Sequence, residues 1–334
     1  SYNVVTPIAI ASQNAWYNVP PNWSNSLNIY FYDQNLSGLK TGYYSLSSTM
    51  SYVIFNYGTY GVSSSEQPWA VSWNALIEGT NNIGLSIMDH AENSINVSDL
   101  LKIRKDISAP TIVNPYPTAF DDYLGGPVDT MNHIQAYTFD NFSKIKDFYF
   151  AVSNNVGFGD WIPISVNVDV VTYNQPWVIP WSVIAGGLND VWAQAVDRAG
   201  NIALSKVYTI KRDVTPPAVT HNMDLSVLDK WVRTKPATLS SVNIMFTDSE
   251  SRLDDIFYEI RNDSQSVLYR YTITQNYNMP TYNRAWSVNW SDFPDNVTSQ
   301  IWLLVSDNAG WLTTTKAMTV LKDTIAPTLS WQTH

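Results

Sequence analysis

The sequence predicts an all-β protein made of three tandem β-sandwich domains, and three observations lead to this prediction. A hairpin followed by a proline-containing linker occurs three times, with a period of about 109 residues. The segments between these copies alternate apolar and polar residues, as half-buried strands do. The chain lacks the 3.6-residue periodicity of amphipathic helices. A period of this length is too long for a solenoid unit and fits one whole small domain.

The repeat is clearest in residues 191–217, VWAQAVDRAGNIALSKVYTIKRDVTPP, and residues 83–110 and 301–327 match it. Each copy has one aspartate in the hairpin and one in the linker, four residues before a proline. The hairpin aspartates are Asp89, Asp197 and Asp307, and the linker aspartates are Asp106, Asp213 and Asp323. We therefore expect domains at 1–107, 108–214 and 215–324, with 325–334 beginning a further module or linker.

Within each repeat, an alternating strand ends at an aspartate, and an aromatic strand follows. Those aspartates are Asp33, Asp140 and Asp248. The next segments, residues 41–65, 155–175 and 263–284, are loosely patterned, and we expect loops there with one edge strand. A tryptophan pair follows, at Trp69 and Trp73, Trp177 and Trp181, and Trp286 and Trp290. Residues i, i+2 and i+4 of a strand share a face. Recurrence of the pair favours anchors of the core over an exposed aromatic platform for sugars.

The penultimate strand of each repeat has one apolar face and one mixed face. The apolar residues are Ile83, Leu85 and Ile87, then Val191, Ala193 and Ala195, then Ile301, Leu303 and Val305. One buried and one mixed face are typical of a strand in a two-sheet sandwich. About seven short strands per ~100 residues predict a Greek-key, immunoglobulin-like fold. Short linkers with proline and without Gly/Ser runs predict that the three domains form an elongated, semi-rigid rod.

Composition excludes several classes of function. The 334 residues are 45% hydrophobic and 14% charged, with a net charge of −10. That charge argues against nucleic acid as a partner, because phosphates would be repelled. The absence of cysteine excludes disulfides, thiol catalysis and thiolate metal sites. No apolar run is long enough to span a membrane. The linker-like start and the module-like end suggest a piece of a longer protein.

The hairpin Asp-x-Ala-Gly-Asn, the linker Asp-x-x-x-Pro and the earlier Asp…Ser-x-Ile/Leu…Tyr resemble bacterial and archaeal Ig-like tandem repeats of surface proteins. The resemblance implies a non-catalytic, extracellular, cell-surface segment of a surface layer, stalk or filament, with neighbouring copies or other surface proteins as partners. Two residues depart from the pattern: Glu92 replaces the hairpin glycine and Trp311 replaces the hairpin asparagine. We expect different turn geometry there.

Two other functions remain open. One is an adhesin that binds a glycan or a protein receptor through its mid-module loops, especially the Tyr- and Asn-rich residues 43–60. The other is an accessory region of a secreted hydrolase whose catalytic domain lies elsewhere. The sequence has no phosphate-binding loop, no nucleophile elbow and no histidine with a partner at metal-ligand or triad spacing. We therefore predict that the chain is not an enzyme.

The predicted strand order brings three aspartates together where the chain enters each domain. In the second domain they are Asp106, Asp140 and Asp197, and in the third Asp213, Asp248 and Asp307. The first domain has Asn3, Asp33 and Asp89. Carboxylates without histidine or cysteine are hard oxygen ligands that suit Ca²⁺. The alternative is that each aspartate caps the backbone of its own turn.

Asn-x-Ser/Thr tripeptides mark candidate glycosylation sites at Asn22, Asn35, Asn96, Asn141, Asn262 and Asn296. A seventh, Asn289, is set aside because we expect residues beside Trp290 to be buried.

Overall fold

The computed structural model describes residues 14–25, 27, 30–33, 37–46, 50–59, 61–66, 68–221 and 230–330. The first repeat contains β1 (Trp16–Tyr17), β2 (Phe31–Tyr32), β3 (Leu39–Leu46), β4 (Met50–Asn56), β5 (Ser64–Ser65), β6 (Gly79–Asp89) and β7 (Ser94–Lys105). The second contains β8 (Thr111–Val113), β9 (Tyr123–Leu124), β10 (Tyr137–Phe139), β11 (Ile145–Asn154), β12 (Gly157–Phe158), β13 (Ile162–Ser165), β14 (Thr172–Tyr173), β15 (Gly187–Asp197) and β16 (Ile202–Arg212).

The third repeat contains β17 (Ala218–His221), β18 (Trp231–Val232), β19 (Ile244–Thr247), β20 (Leu253–Asn262), β21 (Val267–Thr274), β22 (Thr281–Tyr282), β23 (Val297–Asp307) and β24 (Leu312–Lys322). Within the described residues, helical structure is confined to single turns. One is α1 (Ala237–Ser240), and the 3₁₀ turns include Asn22–Asn25, Trp73–Ala75, Asp129–Asn132, Trp181–Val183 and Trp290–Asp292.

Each repeat folds into two sheets. In the second repeat the small sheet has the order β14-β10-β8 and the large sheet β12-β11-β15-β16-β9, with β13 also paired to β11. In the third repeat the orders are β17-β19-β22 and β18-β24-β23-β20-β21. The first repeat has β2-β5 and β1-β7-β6-β3-β4. The chain crosses between sheets after β10 and after β14, which is a Greek-key path. The all-β, immunoglobulin-like sandwich prediction is confirmed.

The opening segment of the second and third repeats serves both sheets. In the second repeat β8 joins the small sheet, and β9 then pairs in parallel with the end of β16 in the large sheet. The third repeat does the same with β17 and β18, and β1 pairs in parallel with β7 in the first. Part of the opening segment of each sandwich (β1, β9 or β18) therefore lies beside its last strand.

The apolar faces predicted for the penultimate strands form the cores. In all three repeats the nine residues named above are at most 8% exposed. Aromatic residues pack in the same cores. Phe148 and Phe150 on β11, which neighbours β15, and Phe246 on β19 of the opposite sheet are almost completely buried. Each sandwich has its own hydrophobic core.

The tryptophan pairs anchor these cores, as predicted. Trp69 and Trp177 are buried, and the second tryptophan of each pair is half-buried and packs against the core at a 3₁₀ turn. A basic residue at the end of the last strand lies over that second ring, with Lys105 Nζ 5.1 Å from the centre of Trp73. Arg212 covers Trp181 and Lys322 covers Trp290 in the same way.

The middle segments are more regular than the expected loops. Residues 39–46 (β3) and 50–56 (β4) pair in antiparallel register, and β21 pairs with β20 over most of its eight residues. The edge strand expected in each segment is present. These strands are largely exposed on both faces, so their sequences carry little of the apolar alternation that marks a half-buried strand.

None of the helices in the described residues is long and apolar enough to cross a membrane.

Candidate cation site at the entry of each domain

Three aspartates converge at the entry of the second domain. Asp106, Asp140 and Asp197 each place one carboxylate oxygen within 4.8 Å of the other two. All three side chains are at most 4% exposed. Asp213, Asp248 and Asp307 form the same arrangement at the entry of the third domain, with the same burial. The structure therefore forms both predicted clusters. In each cluster the three carboxylates come from three different elements of the fold.

The strand order explains this convergence. Asp106 directly follows β7, Asp140 directly follows β10 of the small sheet, and Asp197 is the last residue of β15 in the large sheet. These strand ends meet at one pole of the sandwich. The cluster therefore joins both sheets of a domain to the linker that enters it.

One oxygen of each carboxylate caps its own turn. In the second domain Oδ1 of Asp106 accepts a hydrogen bond from the main-chain N–H of Ser108 at 3.0 Å. Oδ1 of Asp140 accepts one from the N–H of Lys144 at 2.6 Å, and Oδ1 of Asp197 accepts one from the N–H of Asn201 at 2.9 Å. The third domain repeats these bonds with Thr215, Arg252 and Trp311 as donors. Turn capping thus engages one oxygen of each of the six aspartates.

The two clusters differ in how the second oxygens are satisfied. In the second domain Oδ2 of Asp106 accepts from Ser143 N at 3.0 Å, and Oδ2 of Asp197 accepts from Asn201 Nδ2 at 2.8 Å. In the third domain Oδ2 of Asp307 is buried and accepts no hydrogen bond from the residues that the structure describes, whereas the Asp213 carboxyl contacts the side chains of Ser251 and Glu250. Buried carboxylate oxygens without a partner are costly unless a cation neutralises them.

Trp311 accounts for part of this difference. Asn201 Nδ2 donates both to Asp197 Oδ2 and to the main-chain oxygen of Asp106 in the linker, at 3.1 Å. Trp311 occupies the equivalent position, and its Nε1 donates to the main-chain oxygen of Asp213 at 3.0 Å. An indole has a single N–H donor. Trp311 therefore keeps the bond to the linker and leaves the Asp307 carboxylate without its second partner.

The geometry adds a fourth carboxylate that the sequence analysis missed. Glu250 Oε2 accepts a hydrogen bond from Thr215 Oγ1 at 3.1 Å, and Thr215 also caps Asp213. Its hydrogen-bonded contact with the Asp213 carboxyl raises the pKa of Glu250. The equivalent position in the second domain is Phe142. Alignment of the turns Asp-Asn-Phe-Ser and Asp-Ser-Glu-Ser would have revealed this additional acid.

Most carboxylates of the two clusters disfavour their ionised state. Asp213 is the exception, because burial is outweighed by hydrogen bonds from Ser251 and Thr215, which hold its pKa below the usual value. Burial raises the pKa of Asp140 and of Asp197, and the nearby Asp106 charge raises both further. Burial likewise raises the pKa of Asp248. Burial, with the neighbouring charges of Asp213 and Asp248, raises the pKa of Asp307 to about 6. Two unit charges about 4 Å apart repel by about 4 kcal/mol at an effective dielectric constant of about 20.

The first domain differs. Asn3 lies outside the described residues. Asp33 Oδ2 accepts from Gly38 N at 2.8 Å, and Asp89 Oδ1 accepts from Asn93 N at 2.8 Å, so both cap their turns. Among the described residues, these two aspartates are not part of a group of three converging acidic or histidine ligands.

The expectation of a different turn at Glu92 is wrong. Glu92 has a φ of 67°, in the same left-handed region as Gly200 at 92° and Gly310 at 90°. The hairpin aspartates Asp89, Asp197 and Asp307 make the same bond in all three repeats. In each, the carboxylate Oδ1 accepts a hydrogen bond from the main-chain N–H four residues after the aspartate. The turn is therefore retained, with a side chain in a conformation that favours glycine.

Most candidate glycosylation sites lie on the surface. Asn22, Asn96, Asn141 and Asn296 are exposed, Asn262 is half-buried, and Asn35 lies outside the described residues. Asn289, set aside above, is also exposed, so the reason for excluding it is wrong. Its Nδ2 donates to Tyr271 OH at 3.1 Å and to Asp292 Oδ2 at 2.6 Å, which engages the nitrogen that a glycan would need.

Solved structures with similar folds include bacterial adhesins. The tetra-tandem repeat in the extending region of a large adhesion protein is 16% identical, over 92% of this chain and 73% of that one, with a TM-score of 0.33. A 1.5-MDa bacterial ice-binding adhesin is 13% identical, over 90% and 91%, with a TM-score of 0.38. A Ca²⁺-stabilised adhesin of an Antarctic bacterium is 14% identical, over 91% and 70%, with a TM-score of 0.37.

Identities and scores at this level do not assign a family, so the fold of this chain rests on its own strand order. No family model and no curated protein matches the chain.

Proposed function

We propose that this chain is a non-catalytic structural segment of a prokaryotic cell-surface protein, in which Ca²⁺ joins each linker to the domain that follows it. The chain would lie outside the cell, arranged as a rod of the three predicted domains. Its partners would be neighbouring copies or other surface proteins. The observation that carries this proposal is the buried, unpartnered carboxylate oxygen of Asp307 inside a cluster of three aspartates.

The donor set suits calcium. Calcium binds six to eight oxygen ligands from carboxylates, main-chain carbonyls and water, whereas zinc and copper favour nitrogen and sulfur. Asp106, Asp140 and Asp197 supply only oxygen, as do Asp213, Asp248 and Asp307. A cation at either cluster would cancel the repulsion that raises the pKa values described above.

A cation there would have a mechanical effect. Asp106 and Asp213 belong to linkers, whereas the other carboxylates belong to the sheets of the following domain. Ligation would therefore fix the linker to the domain at the point where the chain would otherwise bend. Such a role needs no substrate and no catalytic group.

Scattering and melting of the whole chain test this proposal. Small-angle X-ray scattering should show an extended particle in calcium that becomes more flexible after calcium removal. At a calcium concentration about 100-fold above Kd, each site adds about 2.7 kcal/mol to the free energy of unfolding. Asp197→Asn and Asp307→Asn should each reduce the calcium-dependent rise in Tm, and Asp263→Asn, an exposed turn residue, should not. Identical melting with and without calcium would exclude the site.

The glycan-binding alternative does not gain support from residues 43–60. Residues 43–46 belong to β3 and residues 50–56 to β4, which form a hairpin. Tyr44 is 4% exposed, and its ring stacks on Trp69 with centroids 5.1 Å apart. Tyr44 therefore serves the core of the first domain.

A further inference from the structure

Equivalent grooves with opposite charge lie at the two domain junctions. The first groove, between the first and second domains, has a volume of about 450 Å³, and the second groove, between the second and third domains, about 670 Å³. Each is lined by the opening segment and last strand of one domain and by the turns around the aspartate cluster of the next. The positions correspond: Arg104 to Lys211, Lys144 to Arg252, and Arg198 to Asn308.

The charge balance of the two grooves is reversed. The first groove is lined by Arg104, Lys144 and Arg198 against Asp169, a balance of 3 − 1 = +2. The second is lined by two basic residues, Lys211 and Arg252, against the acids Asp121, Asp122, Glu250 and Asp254, a balance of 2 − 4 = −2. The whole chain carries −10. The surplus of positive charge in the first groove is therefore opposite in sign to the net charge of the protein.

The cations of the first groove are incompletely paired. Asp169 Oδ1 lies 3.0 Å from Arg198 Nε and 3.4 Å from Lys144 Nζ, so one carboxylate serves two cations. Arg104 forms no ion pair within the described part of the chain. Its Nη1 donates to Asn14 O at 3.2 Å, and its Nε is buried without a hydrogen-bond partner among the described residues.

Aromatic rings adjoin these cations. The Arg104 guanidinium lies 5.9 Å from the centre of the Trp16 ring, and Phe142, on the opposite domain, is 37% exposed. Both rings line the first groove. Its volume falls in the range of small-molecule sites. The groove thus offers cations for one carboxylate and apolar ring surface for the C–H groups of a sugar.

We propose that the first groove binds an acidic saccharide, with the sugar carboxylate on Arg104 and Arg198 and the sugar ring against Trp16 and Phe142. The inference goes beyond the structural role and needs no calcium ligand. Because residues of two domains form the groove, the inference rests on the proposed function to the extent that calcium holds this junction in place.

Calorimetry with 3′-sialyllactose as probe and lactose as neutral control tests this inference, on the whole chain with calcium present. We expect heat of binding with sialyllactose and none with lactose. Arg104→Gln and Arg198→Gln should each weaken binding about tenfold. Asp169→Asn should strengthen binding several-fold, because it removes the carboxylate that competes for Lys144 and Arg198. Lys211→Gln, the matched change in the second groove, should leave the affinity unchanged.

The same titration separates the alternatives. Equal binding of lactose, no binding of sialyllactose, or unchanged affinity in both arginine variants would each overturn the inference. If the arginine variants fail to fold, the gain in affinity of Asp169→Asn decides. Binding that persists after calcium removal, while the melting temperature is also unchanged, would retain the saccharide site and reject the calcium proposal. If Arg198→Gln no longer binds sialyllactose but still melts at a calcium-dependent temperature, the loss of binding is due to the groove and not to loss of calcium.

Discussion

Trp311 Nε1 donates a hydrogen bond to the main-chain oxygen of Asp213 at 3.0 Å, which reproduces the bond from Asn201 to Asp106 one domain earlier. The two side chains share a position and a linker partner, but only the asparagine also donates to the hairpin aspartate. The Asn201 side chain therefore bonds both the linker and the hairpin aspartate, whereas the Trp311 side chain bonds only the linker. This difference predicts that the two junctions depend on cations to different degrees.

Exchange of these side chains tests that difference. Trp311→Asn should supply a donor to Asp307 Oδ2 and raise the Tm of the calcium-free third domain. A hydrogen bond to a charged group contributes about 1.5–3 kcal/mol. The calcium-dependent rise in Tm should shrink accordingly, as measured by calorimetry. Asn201→Leu should do the opposite in the second domain. An unchanged calcium increment in both variants would contradict the assignment.

The raised pKa of Asp307 predicts an unusual pH dependence. The folded value of about 6 lies above the unfolded value near 3.8, so the folded state binds this proton more tightly. Stability from this group is highest below pH 4 and falls as the pH rises from about 4 to 6. When the pH is lowered from 7 to 5, calcium-free protein should therefore gain stability from this group. Calcium-loaded protein should lose stability over the same range, because protons compete with Ca²⁺ for the carboxylate.

The measurement is Tm against pH after removal of calcium by gel filtration, compared between the natural chain and Asp307→Asn. The variant lacks the titrating group, so its Tm should rise less on acidification. Parallel curves for the two proteins would show that Asp307 does not titrate in this range.

Glu92 gives a stability prediction in the first domain. Its φ of 67° is a conformation that glycine adopts at no steric cost. Glu92→Gly should stabilise the chain by about 0.5–1 kcal/mol, since relief of strain exceeds the entropy cost of glycine. The ion pair lost with Lys40 is 3.8 Å long and exposed, and contributes little. Urea unfolding measures the change, and Gly200→Ala is the matched destabilising variant.

The basic residue at the end of each last strand predicts a loss of stability. Lys322 Nζ donates to the main-chain oxygen of Phe293 at 2.8 Å and lies 5.6 Å from the centre of the Trp290 ring. Lys322→Met should cost about 2 kcal/mol, because it leaves a buried carbonyl without its partner. Lys316→Met, on the exposed face of the same strand, should stay within about 0.5 kcal/mol. Equal effects in urea unfolding would argue against the contact.

The sequence predicted those parts of the structure that follow from periodicity. The face of Val191, Ala193 and Ala195 and the placement of Asp140 and Asp197 at one pole follow from strand alternation and strand order. An edge strand was expected in the segment that holds β21, but its bounds and regularity were not, because exposure on both faces removes the alternation. Glu250 could have been found by aligning the corresponding turns of the second and third repeats. The reversed charge of the junction grooves could not be predicted, since it depends on which side chains of two domains face each other.

The parallel pairing of the opening segment with the last strand has a consequence for force. The chain enters the second domain through the opening segment, first β8 and then β9, and leaves from the end of β16, which pairs in parallel with β9. Tension along the chain would pull the two strands in opposite directions along their axes. The hydrogen bonds between them run across that direction, so they are loaded in shear and must break together. A domain tethered in this way resists stretching more strongly than one whose terminal strands could separate one bond at a time.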